Sequence, residues 1–76
     1  MTYDEAEKRL LDAIGDEYHV IAAFRLKDSY LFTVGEEGDD AESFDLDMLK
    51  LDDGAMIPIW LDPNDRPAVS EADRII

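Results

Sequence analysis

The chain has 76 residues, of which 20 are acidic and 7 basic, for a formal net charge of −13, and 46% are apolar. It is too short for two independent cores and too apolar to read as wholly disordered. Its acidity excludes holding a phosphate backbone by charge attraction, and the absence of cysteine excludes disulfides, thiolate metal sites and cysteine nucleophiles.

The first segment reads as a helix. Thr2 is a good N-cap and Glu5 stands three residues on, as in a capping box. Asp4, Glu5 and Glu7 put negative charge at the positive end of the helix dipole. Tyr3, Ala6, Leu10, Ala13 and Ile14 recur at spacings of three and four, Leu11 widens the stripe, and Gly15 is the natural stop.

Tyr18 to Leu26 alternates as a strand. Regular alternation puts Tyr18, Val20, Ala22, Phe24 and Leu26 on one face and His19, Ile21, Ala23 and Arg25 on the other, as in a sheet packed on one side. Asp28-Ser29 is a turn, and Tyr30 to Val34 completes an antiparallel hairpin.

Gly35 to Asp40 reads as a loop. From Glu36 to Asp53 there are nine acidic residues and a single basic one, Lys50. Phe44, Leu46 and Met48 alternate with Asp45 and Asp47, whereas Phe44, Met48 and Leu51 fit a helical stripe. An extended piece at Ser43 to Asp47 followed by an irregular turn is the preferred reading. Asp52-Asp53-Gly54 is a turn, and Ala55 to Leu61 is a strand that Pro58 confines to an edge. Asp62 to Asp65 turns again. Ser70 and Asp73 suggest a capped short helix, and Ile75 and Ile76 suggest a tail docked on the core.

Chemistry is sparse along this chain. His19 is the sole imidazole, and Ser29, Ser43 and Ser70 lack a nucleophile-elbow signature. Gly35 and Gly38 lie among acids that repel phosphate. The acids of residues 39 to 53 are hard oxygen donors suited to calcium or magnesium, but their spacing does not follow the calcium-loop pattern. With 20 acids, a pair of carboxylates at hydrolase spacing arises without meaning. No catalytic residue and no cofactor is therefore expected.

The dense acidic stretch suits a cationic macromolecule better. Charge steers such an encounter, and Phe44, Leu46, Met48, Leu49 and Leu51 either anchor it or form core. The single Trp60 would be an anchor on an edge strand, but the only Trp of a 76-residue domain is more often the centre of the core. The candidate partner-binding residues are Glu36, Glu37, Asp39, Asp40, Glu42, Asp45, Asp47, Asp52 and Asp53. Two alternatives use the same residues: mimicry of a nucleic acid toward a protein that binds DNA or RNA, and a carboxylate-rich divalent-metal domain. A bias toward Asp and Glu across a whole genome would give the same composition with no functional meaning.

The order helix, hairpin, acidic loop and then Pro58-Ile59-Trp60-Leu61-Asp62 before a turn resembles small bacterial immunity proteins of the YrhB type, over roughly Tyr3 to Arg66. Where that family has Gly-Trp opening the second strand, this chain has Ser29-Tyr30; where it has Gly-Asn before the proline strand, this chain has Gly54-Ala55-Met56-Ile57. The resemblance implies a non-catalytic protein that binds and neutralises another protein.

The expectation is one small acidic α+β domain spanning residues 1–76: an N-terminal helix packed on a three- or four-stranded antiparallel sheet. Its helix stripe should cover Tyr18, Val20, Phe24, Phe32 and Val34. The expected function is a non-enzymatic protein–protein interaction module, an immunity or inhibitor protein with a basic protein partner and no direct contact with nucleic acid or membrane. The acidic N-terminus and the short apolar runs point to a cytoplasmic protein. A homo-oligomer built by pairing sheet edges and a monomer kept apart by repulsion both fit the sequence.

Overall fold

Thr2 starts the helix as its spacing requires. In the computed structural model, which describes residues 1–36 and 46–76, α1 spans Tyr3–Ile14. The Thr2 hydroxyl accepts a hydrogen bond from the Glu5 amide at 3.3 Å. At the other end Gly15 takes a φ of 77°, a conformation that penalises any side chain, and donates its amide to Leu11 O at 2.9 Å. The buried stripe is narrower than its spacing suggests. Ala6 and Leu10 are fully buried, and Tyr3 and Ile14 pack against the same core, while Leu11 and Ala13 face out.

Four antiparallel strands follow in sequence order: β1 (His19–Arg25), β2 (Ser29–Gly35), β3 (Asp47–Asp52) and β4 (Ile59–Leu61). The fold is α+β, one helix on a four-stranded antiparallel sheet. Two three-residue 3₁₀ turns, Pro63–Asp65 and Glu71–Asp73, lie in the C-terminal segment. No helix among the described residues is long and apolar enough to cross a membrane.

The faces of β1 depart from regular alternation. Val20 pairs with Val34 and Ala22 with Thr33, so Ile21 is an extra residue in a β-bulge. Beyond it the phase is reversed. Tyr18 and Val20 pack with the helix-side core, as expected, but Ala23 replaces Ala22 there, and Phe24 lies opposite Leu31 on the other face. A period-2 reading carries no signal for one inserted residue.

The helix-side core therefore comprises Ala6, Leu10, Ala23, Tyr30, Phe32, Val34, Leu49 and Leu51. Removing each large side chain among these from water contributes roughly 1.5–3 kcal/mol. Tyr3 sits at the centre of an aromatic group, 6.1 Å from Tyr30 and 6.0 Å from Phe32 between ring centroids. Its hydroxyl is buried beside the Glu7 carboxylate and makes no hydrogen bond of full geometry. Burial first, then hydrogen bonding to and the charge of the neighbouring Glu7 carboxylate, and last the charge of Asp4, push the Tyr3 pKa above the ordinary tyrosine value.

The sheet is covered on both faces, where a single packed face was expected. Leu31, which points away from α1, is as fully buried as Phe32, and Ala22 and Leu46 are also buried. Residues 62–76 run from β4 at one edge of the sheet to β1 at the other. On the way the Arg66 guanidinium donates to Leu46 O at 3.2 Å. The tail then joins the outer edge of β1: Ile75 donates to Ala23 O at 2.7 Å, Ala23 donates to Ile76 O at 3.3 Å, and Phe24 forms a bridge with Arg74. The tail docks through its backbone, while the Ile75 and Ile76 side chains stay partly exposed.

Two further boundaries differ from the sequence reading. Strand β3 runs Asp47–Asp52, where an irregular turn was expected. Its regular pairing with β2 from Asp47↔Val34 to Asp52↔Ser29 overrides the mixed local pattern. Strand β4 is shorter than Ala55 to Leu61. Ala55 donates to Asp52 O at 2.9 Å in the turn that follows β3, so pairing resumes only after Pro58, on an edge strand as proline requires.

Candidate protein-interaction surface

Among the described residues, the acids of the 36–53 stretch do not form one row. Asp47 and Asp52 are the two ends of β3, about 17 Å apart at the usual rise per residue. Around Asp52 and Asp53 the charge is met from within the chain. The Asp53 carboxylate lies 3.4 Å from the Met1 ammonium and 3.7 Å from the Arg25 guanidinium, and Lys50 lies 3.3 Å from Asp52. At the opposite end Glu36 and Asp47 are exposed, and no ion pair involves Asp47 among the described residues. Glu37, Asp39, Asp40, Glu42 and Asp45 lie outside the described residues, as do Ser43 and Phe44.

Strand pairing brings other acids to the Asp47 end. His19 pairs with Gly35, Val34 with Asp47, and Met48 with Leu61. Asp16 and Glu17 lead into β1 and Asp62 leaves β4, so all three reach the end where Glu36 and Asp47 stand. Sequence distance hides this grouping, and only strand register could reveal it.

The arginines are committed to the chain itself. Arg9 donates to Ala55 O at 2.7 Å, and Arg66 to Leu46 O. Arg25 lies 4.5 Å above the Tyr30 ring, and Arg74 donates to Ile76 O at 2.8 Å. Such a use of cations leaves the outward surface dominated by carboxylates.

The hydrophobic residues of the acidic stretch are mostly interior. Leu46, Leu49 and Leu51 are buried and Met48 is half-buried, so they belong to the core and not to an anchoring surface. The exposed apolar surface lies further on. Met56, Ile57, Ile59 and Trp60 are 70%, 73%, 57% and 50% exposed, four large side chains within five residues. They occupy β4 and the turn that leads into it, at the edge of the sheet beyond which no strand lies among the described residues. Trp60, opposite Leu49, faces the helix side and meets the Tyr18 ring edge-on at 5.8 Å. Ile59, opposite Lys50, faces the other side. Met56 also lines an open depression of about 320 Å³ against α1, with Glu5, Lys8, Arg9 and Asp12 as its other walls. The edge position of Trp60 was legible from Pro58. Its half-exposure was not, because that depends on the strand beginning only at Ile59.

Among the described residues, the side chains considered for catalysis lie apart. His19 is exposed at the start of β1, Ser29 is buried, and the Ser70 hydroxyl is 3.2 Å from the Asp73 carboxylate. Among the described residues no three His, Asp or Glu side chains converge as ligands for a metal ion. No family model, curated protein or solved structure matches the chain.

Proposed function

We propose that the chain is a non-enzymatic protein-binding module, of the immunity or inhibitor kind, whose partner is a basic protein. The observation that carries this reading is the exposed group Met56, Ile57, Ile59 and Trp60 on the open edge of a sheet in a protein of net charge −13. Exposed apolar side chains bordered by charge are the usual composition of a binding surface: the apolar residues give affinity, and the surrounding carboxylates select and steer a cationic partner. The acids at the Asp47 end supply such a field, since the arginines are already engaged. Nucleic-acid mimicry calls for a continuous row of outward carboxylates. The separation of Asp47 from the internally paired Asp52 and Asp53 argues against such a row.

A photoreactive side chain at position 59, compared with one at position 27 on the far hairpin turn, tests the reading. The expected result in the producing cell is one dominant adduct at position 59 with a protein of high isoelectric point. That adduct should weaken when Asp47 and Asp62 are changed to Asn. Identical adduct patterns from both positions contradict the reading.

A further inference from the structure

The two edges of the sheet are treated differently. The β1 edge is closed by the chain's own C-terminal residues, which hydrogen-bond to Ala23 in both directions. Among the described residues, the β4 edge has no strand beyond it. An uncovered edge presents backbone donors and acceptors that can template another strand, and proteins normally blunt such edges with charged side chains, prolines or brevity. Here Pro58 and Pro63 limit the edge to Ile59–Leu61, but the side chains it displays are apolar. Ile59 and Trp60 project to opposite faces of the same short strand, so an added strand would be gripped on both sides.

We infer that the open edge of β4 receives an extended segment of the basic partner as a fifth antiparallel or parallel strand, with lysines or arginines of that segment near Asp62 and Asp65. This inference rests on the protein-binding reading and adds the mode of binding. Backbone hydrogen bonds to Ile59–Leu61 supply register, and the exposed Trp60, Ile57 and Ile59 side chains supply apolar contact. Charge complementarity selects the occupant. Asp62 and Asp65 are exposed at the exit of β4, and a second copy of the chain would bring the same acids and another net charge of −13 against them.

The test uses the intact protein labelled with nitrogen-15 and three peptides. The first alternates lysine and valine, the second is the same peptide with every backbone nitrogen methylated, and the third alternates glutamate and valine. The expected result is saturable binding of the first peptide with slowed amide exchange within Ile59–Leu61. The methylated peptide should bind at least about tenfold more weakly, because it retains side chains and charge but has no backbone donors. The glutamate peptide should not bind. Equal binding of both lysine peptides, with no slowing within Ile59–Leu61, overturns strand addition and leaves the basic-partner reading standing. Failure of both lysine peptides to bind overturns the two together. Shifts within Ile59–Leu61 that grow with protein concentration alone assign the edge to a second copy and overturn the proposal.

Discussion

Tyr18 and Trp60 meet edge to face with ring centroids 5.8 Å apart and planes at 64°, linking the lead-in to β1 with the outermost strand across the helix side of the sheet. Without this contact β4, three residues long and paired only with β3, would hold its position through few interactions. The pair therefore joins stability to the proposed binding edge, since the ring that secures the edge is also one of the apolar side chains the edge displays.

A double-mutant cycle of Tyr18→Leu and Trp60→Leu measures that link. Aromatic pairs of this geometry contribute about 0.5–1.5 kcal/mol beyond area burial. The cycle, read by urea denaturation, should give a coupling energy in that range. Purely additive effects would mean the contact does not hold β4.

Deletion of Ile21 should be tolerated. The ladder pairs Val20 with Val34 and Ala22 with Thr33, so removing the residue between them restores a regular strand without turning any core side chain outward. The expected cost is about 1–2 kcal/mol, from the partly buried isoleucine itself. Deleting Thr33 from β2 instead, a strand with no extra residue to absorb the loss, moves Val34 to the opposite face and should destabilise the fold far more. Circular dichroism and urea denaturation of both deletions check this.

Leu31→Ala should be as damaging as Leu10→Ala, about 2–5 kcal/mol in either case, although only Leu10 belongs to the helix. The equality follows from the second covered face. A loss below about 1 kcal/mol for Leu31→Ala would mean that this second face is not packed.

Tyr3→Phe removes a buried hydroxyl that makes no hydrogen bond of full geometry, although the Glu7 carboxylate lies beside it. At neutral pH the variant should be equal to or up to about 1 kcal/mol more stable than the parent, because an unsatisfied polar group costs free energy to bury. The pH dependence has a definite sign. The folded-state pKa of Tyr3 is raised, so above about 10, the ordinary tyrosine value, the unfolded chain loses the proton first and is favoured. Parent stability should fall as pH rises through that region, and Tyr3→Phe should fall less. Thermal melts of the two proteins across pH 8–11 make the comparison.

Much of the fold is legible because its signals are local. Thr2 and Gly15 bound α1, the apolar alternation gives the hairpin, and Pro58 assigns β4 to an edge. What escapes is non-local. The Ile21 bulge is visible only through its partners Val34 and Thr33, and β3 is a strand because β2 pairs along its whole length. For the same reason the candidate surface moves. The acids from Glu36 to Asp53 are one block in sequence, but β3 carries Asp47 and Asp52 to opposite ends of the sheet, and part of that block is paired internally. The apolar edge at Met56 to Trp60 emerges once Leu46, Leu49 and Leu51 are seen to be interior.

The chain holds a single tryptophan, and it lies on the proposed working edge, so its emission is the most direct test. Titration with the alternating lysine–valine peptide should move Trp60 emission to shorter wavelength as the half-exposed ring is covered, saturably, with no change on adding the glutamate peptide. Binding of the lysine peptide with Trp60 emission unmoved would place the contact elsewhere and contradict the account.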